Sequence, residues 1–189
     1  MARPLSEEKR EAILAAATEL VATLGTGAAT AKIAKQAGVA EGTLFTYFAT
    51  KEDLLNQLLL EIETDLAQAI LASYAASGAP RKRIQRVWDC LVDWGMAHPS
   101  RRRAMRQLKV SSLISAETRR RGRSLFRGLR ERIEQDLAGH IDPDRAPFYI
   151  DTVLNGLADI TIEAIAASPK NREQLKQAGF DLFWKGIAA

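Results

Sequence analysis

Thr43, Thr46 and Tyr47 place three hydroxyls within five residues, and Lys51 follows four residues later. Hydroxyls donate to phosphate oxygens and base edges, and an ammonium meets phosphate as a mobile point charge. Glu41, just upstream, can accept from a cytosine amino group or simply favour the positive end of a helix. The start of the helix that carries these hydroxyls adds free amide donors for phosphate. The remaining reactive residue types are scattered. Cys90, His98 and His140 have no metal-ligand spacing, and no nucleophile–base pair or glycine-rich phosphate loop occurs. The chain is therefore not expected to be an enzyme, nor to carry a cofactor or metal. Cys90 is expected to pack as a small apolar residue.

These polar residues need a frame, and residues 30–53 supply one. They read as a short helix, a tight turn at Gly38, a second short helix with outward hydroxyls, and a capped third helix. Ile33, Ala34 and Ala37 face inward, and Gly38 takes the positive φ that a sharp turn needs. Val39 and Leu44 anchor the second helix, with Phe45 and Phe48 expected to lie partly in the core. Thr50-Lys-Glu-Asp53 has the form of a capping box. Upstream, Ser6 caps a helix whose apolar residues Ile13, Leu14, Ala17, Leu20, Val21 and Leu24 recur at helical spacing, and Gly25 stops it. Downstream, Leu54, Leu55, Leu58, Leu59, Ile62, Leu66 and Ile70 form one stripe of a long helix.

Residues 6–60 resemble the N-terminal domain of TetR-family transcriptional repressors. The resemblance rests on Ile33-Ala34, Ala37-Gly38-Val39, Gly42-Thr43-Leu44-Phe45, Tyr47-Phe48 and Lys51-Glu52-Asp53-Leu54. It implies a homodimer that reads a palindromic operator in double-stranded DNA and is released by a small-molecule effector. It implies DNA-contact roles for Thr43, Tyr47 and Lys51 and a phosphate contact at the start of the short helix that holds Thr30; Glu41, Gly42 and Thr46 complete the candidate DNA-binding residues. The family often has Tyr where this chain has Phe45, so a phosphate contact from that hydroxyl is missing here. The resemblance also sets the expected domains: residues 1–50 as a helix-turn-helix DNA-binding domain, and 51–189 as a helical effector-binding and dimerisation domain.

Charge points elsewhere. The 189 residues carry 27 Lys and Arg against 23 Asp and Glu, a net +4. Residues 1–53 hold 6 basic and 7 acidic side chains, whereas residues 81–134 hold 16 and 5. A search for the most basic segment would miss the motif. The Arg-rich belt at 101–132 is open to three readings: a solvated helix face, a sensor for an anionic effector, or a surface toward the DNA backbone. A rival function follows from it, an Arg-rich helical protein that binds nucleic acid or membrane nonspecifically. The lack of a long basic amphipathic helix with a wide apolar face weighs against that rival. No apolar run approaches the ~20 residues of a membrane span, and no signal-peptide core opens the chain, so a cytoplasmic location is expected, with no membrane partner.

No alternating β pattern occurs, so the fold is expected to be all-α. Breaks at Ser77-Gly-Ala-Pro80, His98-Pro99, Asp142-Pro143 and Ser168-Pro169 divide the C-terminal part, with one or two Arg-rich helices over 101–138. Trp88, Trp94, Met96, Met105, Leu113, Phe126, Leu129, Tyr149 and Asn155 are candidates to line an effector pocket. The last two helices have apolar stripes wide enough for a core face and a partner face. By resemblance to the family, Leu157, Ile160, Phe180, Phe183, Trp184 and Ile187 are the candidate dimer interface.

Overall fold

A computed structural model describes residues 6–74 and 77–187. The described residues fold as helices and turns and form no strand. Ser6 caps α1 (Glu7–Leu24): its Oγ accepts from Lys9 N, and Glu7 and Glu8 sit in the first turn, where the helix dipole favours them. Gly25, at φ 71°, ends α1. α2 (Thr30–Gln36) and α3 (Glu41–Tyr47) follow, then α4 (Lys51–Ser73), α5 (Pro80–Ala97), α6 (Pro99–Lys109), α7 (Ala116–Leu125) and α8 (Arg127–Leu137). A short α9 (Ala146–Phe148) runs into a π-helical turn over Tyr149–Leu154 and then α10 (Asn155–Ala167); α11 (Arg172–Ile187) closes the chain.

The Arg-rich stretch makes three helices, not one or two. The first break is at Ser115, whose Oγ accepts from Thr118 N at 3.0 Å as an N-cap. The second break is at Phe126, which has φ −96° and ψ −2° and no glycine or proline beside it to announce it. The π-helical turn inside the penultimate apolar stripe is also silent in the sequence. Asn155 Nδ2 fastens it by donating to the carbonyls of Ile150 and Asp151.

The chain divides into two compact units, and the division falls within α4, between Thr64 and Asp65. The first comprises Met1–Thr64 and Pro99–Ser124. Its core includes Ile13, Leu14, Ala17, Val21, Ile33, Leu44, Phe48, Leu54, Leu55 and Leu58, all buried. α6 lies along α1, and Ser100 Oγ donates to Glu19 at 2.8 Å. The second unit comprises Asp65–His98 and Leu125–Ala189. There α5, α10 and α11 pack around Trp88, Ile165, Phe180 and Phe183. Gly179 permits this approach, because a Cβ on it would lie 2.4 Å from Thr161 Oγ1 and 2.6 Å from the Trp88 ring.

Candidate nucleic-acid interface

The turn between α2 and α3 follows from three backbone hydrogen bonds and one glycine. Ala37 N donates to Ile33 O, Gly38 N to Lys35 O and Val39 N to Ala34 O, with Gly38 at φ 70°. That conformation is open to glycine without strain. Ile33, Ala34, Leu44 and Phe48 are buried, which fixes both short helices against the unit. Ala37 and Val39 are only half-buried.

This packing decides which side of α3 faces out. Glu41, Gly42, Phe45 and Thr46 are exposed, whereas Thr43 and Tyr47 are half-buried. The two rings differ in burial: Phe48 is fully buried, whereas Phe45 is 43 % exposed and only partly covered.

Several of the expected contact groups already have partners. Thr30 Oγ1 donates to Glu41 Oε1 at 2.6 Å and so ties the start of α2 to the start of α3. Thr46 Oγ1 donates to Gly42 O at 3.0 Å within α3. The Tyr47 hydroxyl accepts from Ser6 N at 3.0 Å, which leaves its own proton for an outside acceptor. The Thr43 hydroxyl has no hydrogen bond, and the Lys51 ammonium no ion pair, among the described residues.

A polar network holds Lys51 in place. Thr50 Oγ1 accepts from Asp53 N, and the reciprocal bond goes from Ala49 N to Asp53 Oδ2, one residue earlier than in the ideal box. Gln57 Nε2 donates to Asp53 Oδ1, and Arg10 donates to Gln57 Oε1. The Arg10 guanidinium stands 5.9 Å over the Phe48 ring and within 3.7 Å of Glu61. Burial pushes the Glu61 carboxyl above its ordinary range, against the opposing charge of Arg10. One chain of contacts thus links α1, the end of α3 and the first turns of α4.

Contiguous counting missed the charge of this unit. Pro99–Ser124 folds together with Met1–Thr64, so the unit holds 15 Lys and Arg against 10 Asp and Glu, a net +5. Lys32 and Lys35 on α2 are exposed and have no ion pair among the described residues. Their spacing of three on a short helix was the available signal.

The other candidate residues lie as follows. Trp88 is fully buried, its Nε1 donating to Lys176 O, and Trp94 donates to Asp65 at 2.8 Å. Met96, Phe126 and Tyr149 are half-buried and Asn155 is exposed, all in the second unit, as is buried Leu129, whereas Met105 and Leu113 belong to the first. The expected pocket lining is therefore divided between two units. Among the proposed interface residues, Phe180, Phe183 and Ile187 are 0, 1 and 4 % exposed. Their side chains are spent inside their own chain, which removes them as partner contacts. Trp184 packs on Phe180 and His140, and Leu157 is half-buried. Ile160 is 64 % exposed, and Leu182 on α11 is 61 % exposed.

No helix among the described residues is long and apolar enough to cross a membrane.

Comparison with known proteins agrees with the geometry. Residues 13–58, which span α2, the turn and α3, match the family described as bacterial regulatory proteins, tetR family. The nucleoid occlusion factor SlmA of Haemophilus influenzae is 30 % identical over 76 residues, 40 % of this chain and 35 % of that protein. The match thus spans about a third of that relative's length. Over nearly the whole chain, a TetR-family transcription regulator from Shewanella sp. PV-4 superposes with a TM-score of 0.83 at 29 % identity, covering 96 % of this chain and 98 % of that one. FadR of Bacillus subtilis, solved with stearoyl-CoA, shares the fold at a TM-score of 0.71 and 20 % identity, covering 94 % and 98 %. The two solved neighbours are transcription regulators. Residues 13–58 thus match the helix-turn-helix of the tetR family, and the chain as a whole shares the fold of TetR-family transcription regulators.

Proposed function

We propose that this protein is a repressor that binds a palindromic operator as a homodimer and is released by a small molecule. In this reading residues 1–50 read the DNA, assisted by the basic segment 99–124 folded beside them, and the rest of 51–189 senses the effector and dimerises. The observation that carries it is the Thr43 hydroxyl and the Lys51 ammonium, which have no protein partner among the described residues, beside an exposed α3 edge. Two such readers about 34–36 Å apart would match successive major grooves. Ile160 and Leu182, exposed on α10 and α11, support a partner face there. An effector needs only about 1–3 kcal/mol of coupling to lower DNA affinity 5- to 150-fold.

The test is binding to duplexes selected from a random pool by the full-length protein. Thr43→Ala and Lys51→Ala are expected to weaken the selected site at least several-fold. Equal affinity of both variants and wild type would overturn the reading. The FadR neighbour makes stearoyl-CoA a rational first effector probe. A ligand at ~100 times its dissociation constant stabilises by about 2.7 kcal/mol, which a thermal shift detects. Loss of operator binding on its addition would identify an inducer.

A further inference from the structure

The outward edge of α3 is made of four residues, and their chemistry is uneven. Glu41 and Gly42, then Phe45 and Thr46 one turn on, are the exposed positions. Glu41 already receives the Thr30 hydroxyl, and Thr46 has turned its hydroxyl back to Gly42 O. Gly42, three residues before Phe45, has no side chain to cover the ring. Phe45 is 43 % exposed and makes no ring or cation contact among the described residues. The unit's core is completed by Leu44 and Phe48, both fully buried. The fold therefore leaves Phe45 43 % exposed and holds it at the middle of the edge that the proposed function turns toward DNA.

A phenyl ring has no donor for a phosphate and none for a base acceptor. In the major groove, the apolar feature that distinguishes one base pair from another is the thymine C5-methyl group. We infer that Phe45 is a specificity-determining residue that selects a thymine in each half-site by packing against its methyl. Thr46 is exposed on the same edge with its hydroxyl satisfied within α3, so it adds no competing donor there. This inference rests on the proposed reading of an operator by α3.

The experiment replaces one atom group at a time on each side. Full-length wild type is used to select a duplex, and each thymine of the half-site is then exchanged for uracil, which removes only the methyl. At one position per half-site, wild type is expected to lose about three- to ten-fold in affinity, the worth of one or two buried methyl-sized groups. Phe45→Ala is expected to bind the thymine and uracil duplexes equally, and Phe45→Leu to keep part of the preference. Because Phe45 is exposed, both variants are expected to fold, and their thermal unfolding checks this. If Phe45→Ala keeps the full thymine preference, or wild type shows none at any position, the inference is overturned while operator reading stands. If wild type selects no duplex at all, the proposed function fails and this inference falls with it.

Discussion

The carboxylate of Glu63 on α4 lies against Gly122 on α7, so close that a Cβ at position 122 would stand 2.1 Å from Oε2. Glu63 is 7 % exposed, and Lys109 Nζ on α6 approaches its other oxygen at 3.6 Å. Three helices of the DNA-reading unit thus converge on one buried acid. Asn56 adds a second fastening: its side chain donates to Leu113 O and accepts from Ser115 N. α4 begins at Lys51, so whatever moves α6 or α7 against α4 also bears on a proposed DNA contact.

Gly122→Ala is expected to destabilise the protein by about 1–3 kcal/mol, since the added methyl overpacks a buried carboxylate. For a chain of this size, that is a fall in Tm of roughly 2–12 °C. The clash has one cause, so Glu63→Ala in the same chain should restore part of the loss. A thermal melt of both single variants and the double variant checks this. Additive losses would show that the close approach is not the source.

Burial is the leading cause that raises the Glu63 carboxyl above its ordinary 4.5, with Lys109 and Arg119 opposing it. A raised carboxyl binds its proton more tightly in the folded state. Between the unfolded and folded values the native protein therefore holds more protons, and its stability falls as pH rises. Above the folded value the cost is constant. Glu63→Gln removes it, so the Tm of this variant relative to wild type should climb from about pH 4.5 and then level off. A constant difference across that range would contradict the assignment.

Asp136 behaves in the opposite sense. Burial works to raise its carboxyl, but hydrogen bonds from Arg83 and Tyr74 and the Arg83 charge outweigh it and hold the carboxyl below 3.8. Arg83 Nε lies 2.8 Å from Oδ1, and the Tyr74 hydroxyl 2.8 Å from Oδ2. This stabilisation is fully present above the unfolded value and is lost as pH falls through the folded one. Asp136→Asn at neutral pH should destabilise the protein, because Arg83 loses its charged partner. Its deficit should shrink in acid, which unfolding scans between pH 3 and 7 would measure.

Tyr47→Phe removes the acceptor of Ser6 N, at a cost of about 0.5–1.5 kcal/mol. A loss of operator affinity in this variant therefore mixes a loosened start of α1 with a lost DNA contact. Ser6→Pro, which deletes the same donor together with the Ser6 cap on Lys9 N but keeps the tyrosine hydroxyl, gives the effect of a loosened α1 start alone. If the hydroxyl touches DNA, Tyr47→Phe should weaken binding more than Ser6→Pro does at matched stability.

Ile160→Glu and Leu182→Glu place charges on exposed apolar positions of α10 and α11. Neither should lower the stability of an isolated chain by more than about 0.5 kcal/mol. Both should shift the protein toward monomer in sedimentation or light scattering, and operator affinity should fall with dimer content. Unchanged mass for both variants would place the partner contact elsewhere.

Much of this molecule was legible in its residues because caps and turns are local. Ser6, Gly38, Thr50 and Ser115 each satisfy backbone groups a few residues away, and each stands where its chemistry indicated. The family motif is local for the same reason, since a helix-turn-helix is closed by short-range bonds and a small apolar corner. Helical periodicity also identified the residues that share a stripe, but it could not say which edge of that stripe the chain covers with itself. Only the tertiary packing buried Phe48 and left Phe45 exposed, and buried Phe180 and Phe183 while Leu182 faced out. Charge was likewise a matter of folding. Residues 99–124 lie far from the motif in sequence, and their contribution to the reader's field exists only because α6 lies along α1. Periodicity is a property of one helix, whereas burial and electrostatic neighbourhood belong to the pairs of helices that long-range contacts bring together.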